Sequence, residues 1–204
     1  KVTEKNALGE QTDYIVNRVG QVNQVKHSDA AGNLFSSVTY SYDAYNNQVD
    51  VADQNNNITT KTYEDDRMIS LSDPDMGSST YTYDTLGNLK SMTDAKTNTI
   101  TLNYDLLDRL VSRAEPEGTS TWTYGTSALN KNIGRLVQTS LSDPAEFTES
   151  YEYDLFGRPL KTNTTISGNL VPFVTQRTYD AAGRVLTLKY PGPDNFSVKN
   201  VYNL

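Results

Sequence analysis

A short motif of tyrosine, aspartate and glycine recurs along this chain at a nearly regular interval. It is clearest as "YTYDTLGNL" at residues 81–89 and returns as "YEYDLFGRPL" at residues 151–160. Aligned on the second aromatic residue, copies fall at Tyr42, Tyr63, Tyr83, Tyr104, Tyr124, Tyr153, Tyr179 and Tyr202, and we predict weaker copies at Lys5 and Ser28. The central spacing is 20 to 21 residues, although the gap from Ser28 to Tyr42 is 14. Such a period is typical of repeat architectures.

Each repeat predicts a strand that leads into a tight turn. In "ITLNYD" (100–105), Ile100, Leu102 and Tyr104 alternate with polar residues, which is the period of two of a strand with one buried face. In the turn that follows residue 83, we expect Asp84 to accept hydrogen bonds from backbone amides and Gly87 to adopt the left-handed conformation. Each repeat is therefore predicted to be a β-hairpin.

Two copies of the motif lack the turn glycine. The sequence there has Asn46 in "YDAYNNQV" and Asp108 in "YDLLDRL". Asn and Asp tolerate the left-handed region better than other residues with a side chain, so we predict positive φ at both positions.

A second set of turns is predicted between the motif copies, where an acidic residue or Asn stands near Pro. These segments are "SDPDMGS" (72–78), "AEPEGTS" (114–120), "SDPAEF" (142–147) and "YPGPDN" (190–195). Because no window shows a helical period, the predicted fold class is all-β, built from antiparallel β-hairpin repeats. We expect one repeat segment over residues 1–204, with degenerate repeats in 1–62, clearer repeats in 63–204, and insertions near 125–134 and 165–173.

Composition narrows the classes of partner. The chain has 25 acidic and 18 basic residues, a net charge of −7 and no basic cluster, which argues against nucleic acid and anionic membranes. No apolar run reaches the roughly 18 residues of a membrane span, so none is predicted. The absence of cysteine excludes disulfides and thiolate nucleophiles.

The pattern Tyr-Asp-x-x-Gly-Arg/Asn-Leu, as in "YDTLGNL" and "YDAAGRVL", resembles the YD (Rhs) repeat. Such repeats occur in bacterial Rhs proteins, in the B and C subunits of insecticidal toxin complexes, in wall-associated bacterial proteins and in animal teneurins. The resemblance implies a long sheet that spirals into a hollow shell, often around a toxic segment. The residues that carry the motif are Tyr42, Asp43, Tyr83, Asp84, Gly87, Tyr104, Asp105, Tyr124, Tyr153, Asp154, Gly157, Tyr179, Asp180 and Gly183.

Two functions from different classes follow from this resemblance. The first is a shell wall of a secreted or surface-bound bacterial protein that encloses a toxin, with further repeats, the enclosed polypeptide and a toxin-complex subunit as partners. The second is an adhesin that binds glycans or proteins. In the first, stacked tyrosines form a structural ladder whose hydroxyls reach polar partners. In the second, exposed tyrosines and Trp122 are stacking platforms for sugars.

No catalytic residue, cofactor or metal site is predicted. "HSD" (27–29) contains the residue types of a hydrolase triad, but neighbours on a strand point to opposite faces. "DPD" (73–75), "EDD" (64–66) and "DQNNN" (53–57) carry oxygen ligands without the spacing of a recognised calcium loop, so they are interpreted as solvated turns.

Overall fold

A computed structural model describes residues 1–142, 146–169, 171–192 and 196–203. The regular secondary structure of these residues is entirely β-strand, which confirms the predicted all-β class. The strands are β1 (Val2–Lys5), β2 (Gln11–Val16), β3 (Val22–Ser28), β4 (Leu34–Tyr42), β5 (Gln48–Asp53), β6 (Ile58–Glu64), β7 (Arg67–Asp73), β8 (Gly77–Tyr83), β9 (Leu89–Thr93), β10 (Thr99–Tyr104), β11 (Leu110–Glu115), β12 (Gly118–Tyr124), β13 (Leu136–Ser142), β14 (Phe147–Tyr153), β15 (Pro159–Ile166), β16 (Phe173–Tyr179), β17 (Val185–Lys189) and β18 (Ser197–Lys199).

The chain divides into two compact units, Lys1–Thr99 and Ile100–Leu204. In the first unit each strand from β1 to β9 pairs antiparallel with the next strand along the chain. The second unit repeats this arrangement from β10 to β18. Each unit is therefore a β-meander. Residues 143–145 of the predicted turn 142–147 and residues 193–195 of the predicted turn 190–195 lie outside the described residues, as does residue 170 of the predicted insertion 165–173.

A β-bulge occurs at seven of the motif tyrosines, each of which is the last or the next-to-last residue of its strand. Tyr83 pairs with Leu89 whereas Thr82 pairs with Ser91, so Lys90 is the extra residue on β9. The same register shift occurs at Tyr42, Tyr63, Tyr104, Tyr124, Tyr153 and Tyr179. Bulges bend the strand that carries the extra residue and increase the local twist, so each one changes the direction of the strand that follows the motif turn.

The two faces of each meander differ in chemistry. On β8, Tyr81 and Tyr83 are half-buried on one face, whereas Ser78, Thr80 and Thr82 are exposed on the other. On that second face hydroxyl groups pair across strands, as in Thr82 with Ser91, Thr62 with Ser70 and Thr121 with Ser140, each at 2.6 Å. Tyrosine and threonine therefore occupy opposite faces, as the alternating pattern predicts.

Among the described residues no hydrophobic side chain is fully buried, and the one buried polar residue is Asp13. The chain exposes 13856 Å², whereas a compact monomer of 22.7 kDa exposes about 9,500 Å². The sheet is consequently held by strand pairing, turn hydrogen bonds and half-buried rows of side chains.

The order of the turns in the meander shows which of the first turns correspond to the motif turns. Successive turns alternate between the two edges of the sheet, and within the first unit the turns after Tyr42, Tyr63 and Tyr83 share one edge. The turns that follow Lys5 and Ser28 lie at the opposite edge, so the prediction that they are weaker copies of the motif was wrong. The equivalent position at the motif edge is Val16, which is followed by the turn "NRVGQ" (17–21). Ser28 and Val16 both have a bulge, so the edge at which the turn lies is what distinguishes them.

The turn after Tyr63 also differs from its neighbours. Glu64 pairs with Arg67, and the two residues between them, Asp65 and Asp66, have φ of 48° and 60°. Two consecutive positive φ values define a type I′ turn, which closes a hairpin with two residues. The shortened motif "EDDRM" therefore forms a shorter turn at the same edge of the sheet as the turns after Tyr42 and Tyr83.

Candidate functional site

The repeated structure of this chain is centred on an aspartate that closes the turn after the motif tyrosine. Oδ1 of Asp84 accepts hydrogen bonds from the backbone N–H groups of Leu86 and Asn88, both at 2.9 Å. Its Oδ2 accepts one from the side-chain amide of Asn88 at 3.2 Å. The backbone closes the same loop, because Asp84 N donates to Asn88 O at 2.9 Å. We call this five-residue arrangement the Asp clasp.

The Asp clasp recurs with little change along both edges of the meanders. The two amide bonds to the third and fifth turn residues are made by Asp43, Asp53, Asp94, Asp105 and Asp154, and by the side-chain oxygens of Asn6 and Asn17. Asp29 and Asp180 accept from the backbone N–H of their fifth residues, Asn33 and Arg184. Asn in place of Asp preserves the bonds to the backbone, so the geometry depends on the oxygen more than on the charge.

These hydrogen bonds stabilise the ionised carboxylate. Side-chain hydrogen bonds from Arg109, with help from turn amides, hold the pKa of Asp105 below its ordinary value. Bonds from Arg184 lower the pKa of Asp180 in the same way. At Asp84 desolvation opposes the shift, but the bonds from Asn88 and neighbouring amides outweigh it and the pKa is again lowered.

The fourth residue of the clasp lies in the left-handed region. Gly87 has a φ of 92°, and Asn46 and Asp108 have φ of 73° and 58°, which confirms the prediction for the copies that lack glycine. Thr97 takes the same conformation at the opposite edge, with a φ of 66°. This is uncommon for a β-branched residue, and its hydroxyl donates a 2.6 Å bond to the carbonyl of Lys96.

A hydrogen bond from the motif tyrosine joins most of the repeats to the one before. The Tyr83 hydroxyl donates to the backbone carbonyl of Met68 at 2.8 Å, and Met68 is the residue paired with Tyr63. We call this contact the tyrosine rung. Further rungs join Tyr42 to Val22, Tyr63 to Gln48, Tyr124 to Leu110, Tyr153 to Leu136, Tyr179 to Pro159 and Tyr202 to Val185, at 2.6 to 3.2 Å. Phenylalanine could not make this bond, which explains the repeated choice of tyrosine.

An arginine lies over the ring of several motif tyrosines. The guanidinium carbon of Arg158 is 4.1 Å from the ring centroid of Tyr179, and that of Arg109 is 4.0 Å from Tyr124. These distances are within the range of cation–π attraction. The other pairs are Arg184 with Tyr202 at 4.2 Å, Arg135 with Tyr153 at 5.4 Å and Arg67 with Tyr83 at 5.8 Å.

Three of these arginines also complete the clasp of their own turn. Arg109 pairs with Asp105 at 2.6 Å, Arg158 with Asp154 at 2.6 Å and Arg184 with Asp180 at 2.8 Å. One guanidinium thus joins a clasp to the ring of the next repeat. This role was not predicted from the sequence, although the turn one repeat before the tyrosine carries "DR" at Arg109 and "GR" at Arg158 and Arg184.

The remaining motif residues keep these positions. Tyr104 ends β10 and pairs with Leu110 across a bulge. Gly157 and Gly183 are the fourth residues of their clasps, with φ of 74° and 83°. The turn after Tyr124 is enlarged to residues 125–135, yet Gly125 N still donates to the carbonyl of Arg135 at 2.8 Å.

The other candidates from the sequence do not converge. His27 Nδ1 lies 3.1 Å from Thr12 Oγ1 and its ring stacks on Phe35, whereas Asp29 clasps Asn33. The residues of "HSD" therefore form no relay. Asp53 and Asp73 use Oδ1 to accept amide hydrogen bonds within their own turns, consistent with solvated turns. Trp122 is half-buried on β12 opposite Thr139.

Within the described parts of the chain there is no group of three or more His, Cys, Asp or Glu residues arranged to hold a metal ion. The same residues include no helix with the length and apolar character needed to cross a membrane.

Comparison with known proteins agrees with the repeat geometry. The RHS Repeat family model matches residues 64–99 and 83–120. No curated protein sequence matches the chain.

Solved structures share the fold at low sequence identity. The crystal structure of TcdB2-TccC3 matches with a TM-score of 0.71 and 17% identity, over 88% of this chain and 11% of that one. The Tc holotoxin pore of Photorhabdus luminescens matches with a TM-score of 0.70 and 18% identity, over 89% and 10%. The TcdB2-TccC3-Cdc42 structure gives a TM-score of 0.70 and 18% identity, over 88% and 11%. This chain thus spans about a tenth of the length of each. Residues 64–120 thus match the RHS Repeat family by sequence, and the chain shares its sheet fold with TcdB2-TccC3.

Proposed function

We propose that this chain is a wall segment of an RHS-repeat shell that encloses and shields a polypeptide, within a secreted bacterial toxin complex. The observation that carries the proposal is the tyrosine rung, as between Tyr153 and Leu136. Each rung joins one hairpin to the carbonyl of the hairpin before it. A sheet with such contacts can be extended repeat by repeat, because every new hairpin uses the same bonds.

The surface properties of the chain support a wall. No hydrophobic side chain among the described residues is buried, so neither face of the sheet covers a core within this chain. Repeat units bury apolar surface by leaning on their neighbours. Further repeats would pair with the strands at the ends of the sheet. An enclosed polypeptide would cover one of its two faces, either the tyrosine face or the hydroxyl-rich face.

The proposed mechanism is steric. A continuous ladder of paired strands leaves few unpaired backbone groups and presents no opening the width of a folded protease. The clasps at both edges hold the turns closed, since Asp84 satisfies two turn amides that strand pairing leaves free. An enclosed polypeptide would be separated from proteases and from premature partners.

The solved structures suggest the class of partner. TcdB2 and TccC3 occur together in one structure with the fold of this chain. By analogy of fold, we propose that further repeats and a second toxin-complex subunit complete the wall. The chain itself would supply structure and no chemical step.

The glycan-binding alternative gains less support from the geometry. The hydroxyl of Tyr179 donates to Pro159, and Arg158 lies over its ring. A ring whose face is covered and whose hydroxyl is engaged is a poor platform for a sugar. Trp122 is half-buried on β12, so only part of its ring is accessible to a sugar.

Limited proteolysis of the natural polypeptide that contains this chain tests the proposal. The shell predicts that one segment resists proteinase K in the native protein and is digested once the wall is opened by mild denaturant. The matched control is the same segment expressed alone, which should be digested at once. Equal digestion of that segment with and without the intact wall would contradict enclosure.

A further inference from the structure

Three successive motif turns of the second unit expose large apolar side chains. The turns follow Tyr104, Tyr124 and Tyr153, and they share one edge of the meander because two strands separate each from the next. Exposed apolar patches larger than a few hundred Å² mark interaction sites. The patch here, which we call the leucine patch, consists of six residues that are each at least 64% exposed: Leu106, Leu107, Leu129, Ile133, Leu155 and Phe156.

Contacts between the three turns make the leucine patch a continuous surface. Arg109 Nη1 donates to the carbonyl of Gly134 at 3.2 Å, which joins the first turn to the second. Leu129 and Leu155 line the same cavity of about 450 Å³, so the second and third turns are also neighbours. The apolar side chains are therefore presented side by side.

The leucine patch also carries two cations without a partner. Lys131 and Arg135 are exposed and form no ion pair with the residues that the structure describes. Two of the three acids in these turns, Asp105 and Asp154, are already paired with the arginines of their own turns. The leucine patch therefore favours a partner that combines apolar side chains with free carboxylates.

The motif turns of the first unit have this complementary chemistry. Glu64, Asp65 and Asp66 follow one another at the two-residue turn, are exposed, and form no ion pair within the described parts of the chain. Tyr45 and Leu86, on the two neighbouring motif turns, are 79% and 72% exposed. A cavity of about 340 Å³, lined by Tyr45, Asp65 and Asp66, has room for a long side chain. We call this surface the acidic turn.

We propose that the leucine patch of one copy of this chain binds the acidic turn of a second copy. Lys131 enters the cavity beside Asp65 and Asp66, and Leu129 packs against Tyr45. The area of the leucine patch, several hundred Å², approaches the roughly 800 Å² that each partner buries in a standard interface. We therefore expect reversible association at micromolar concentration.

The two surfaces of this contact differ, so the association is heterologous. Each copy has one leucine patch and one acidic turn and can bind a neighbour through each of them. The inference does not depend on enclosure of a polypeptide, because the purified chain alone carries both surfaces.

Sedimentation velocity of the purified chain over a series of concentrations tests the proposal. We expect reversible association that weakens as salt is added, because salt screens the contacts between opposite charges. Leu129→Asp should weaken the association at least fivefold. Met76→Asp is the matched control, since Met76 is 70% exposed outside both surfaces, and it should leave the association unchanged.

A pair of charge variants distinguishes this contact from general adhesion of exposed leucines. Lys131→Asp alters the leucine patch, whereas Asp65→Asn combined with Asp66→Asn alters the acidic turn. All three positions have positive φ, which Asp and Asn tolerate, so the turns should keep their conformation. Each variant alone should associate at least tenfold more weakly than the natural chain.

A mixture of the two charge variants should form one-to-one complexes with nearly the affinity of the natural chain. Each variant retains the surface that the other lacks, and neither can bind a second neighbour. A natural chain that stays monomeric at every concentration, a mixture that associates no better than its components, or equal effects of Leu129→Asp and Met76→Asp would overturn the proposal.

Discussion

The hydroxyl of Tyr153 donates a 2.6 Å hydrogen bond to the backbone carbonyl of Leu136, the residue that pairs with Tyr124 across a bulge. A side chain of one repeat is thereby bound to the backbone of the repeat before it. Because Leu136 is opposite the preceding motif tyrosine, the same contact can be repeated along the sheet without a change of register. Phenylalanine would supply the same ring without the hydroxyl, so this hydrogen bond explains why the motif keeps tyrosine.

Tyr153→Phe should lower the free energy of unfolding by about 1 kcal/mol, the usual value of one hydrogen bond. The ring and its burial remain, so the loss reports the hydroxyl. Tyr45→Phe is the matched control, since Tyr45 is 79% exposed at a turn and is expected to change stability by less than about 0.5 kcal/mol. Urea unfolding followed by circular dichroism gives both values. Equal effects of the two substitutions would show that the rung contributes nothing.

Asp84→Ala should destabilise the chain by about 1–2 kcal/mol, because it leaves the amides of Leu86 and Asn88 without their acceptor. Asp84→Asn should cost much less, since Asn6 and Asn17 make the same bonds in their own turns. Hydrogen exchange at the amides of residues 86 and 88 should accelerate in the first variant only. If the two variants lost stability equally, the charge of Asp84 would matter more than its oxygen.

Gly87→Val should destabilise the turn through backbone strain and through contact with Arg67. Gly87 has a φ of 92°, and a Cβ there would lie 2.7 Å from Arg67 Nη1. Gly20 has a φ of 91° with open space around it, so Gly20→Val isolates the strain of the left-handed conformation. We expect thermal unfolding to shift down in both variants and further in Gly87→Val. An unchanged midpoint for Gly20→Val would contradict the role of the backbone.

The contact between Arg158 and Tyr179 should be measurable as a coupling energy. Their separation of 4.1 Å and the ion pair of Arg158 with Asp154 predict about 0.5–1 kcal/mol. A double-mutant cycle of Arg158→Gln and Tyr179→Leu isolates it in urea unfolding. The single substitution Arg158→Lys should recover only part of the loss, because Lys lacks the planar guanidinium. Additive single effects would show that the two repeats are not coupled here.

The stability of the sheet should fall in acid. Hydrogen bonds from Lys1 and Thr3 lower the pKa of Asp13 from 3.8 to about 2. A folded-state pKa below the unfolded value means that the stabilisation is present above about pH 4 and is lost as the pH falls towards 2. Most clasp carboxyls, such as Asp105, shift in the same direction.

Urea midpoints measured from pH 5 down to pH 2 check this dependence. Asp13→Asn should reduce the slope, because it removes the group with the largest shift. A midpoint that stays constant over that range would contradict the assignment of the lowered pKa values.

Local features of this fold could be predicted from the sequence, because they depend on neighbouring residues. The alternation of "ITLNYD" and the turn residues after Tyr83 predicted strands and clasps. The left-handed conformations of Asn46 and Asp108 also followed, since few residues tolerate them. Each of these features is decided within about five positions along the chain.

The contacts between repeats could not be predicted in the same way. The rung from Tyr179 to Pro159 and the stack of Arg158 on Tyr179 join residues 20 and 21 positions apart. The sequence gives the spacing but not the register of the strands between them, which the bulges determine. The sequence also did not show which of the first turns lie at the motif edge. Asn6 and Asp29 form similar clasps at the other edge of the meander, so their turns resemble motif turns.

Electron cryomicroscopy of the natural polypeptide that contains this chain, purified without denaturation, tests the central claim most directly. The account predicts a closed wall of paired strands, with this chain as one stretch of it and separate polypeptide density inside. A solid rod, or an open sheet that encloses nothing, would contradict the account.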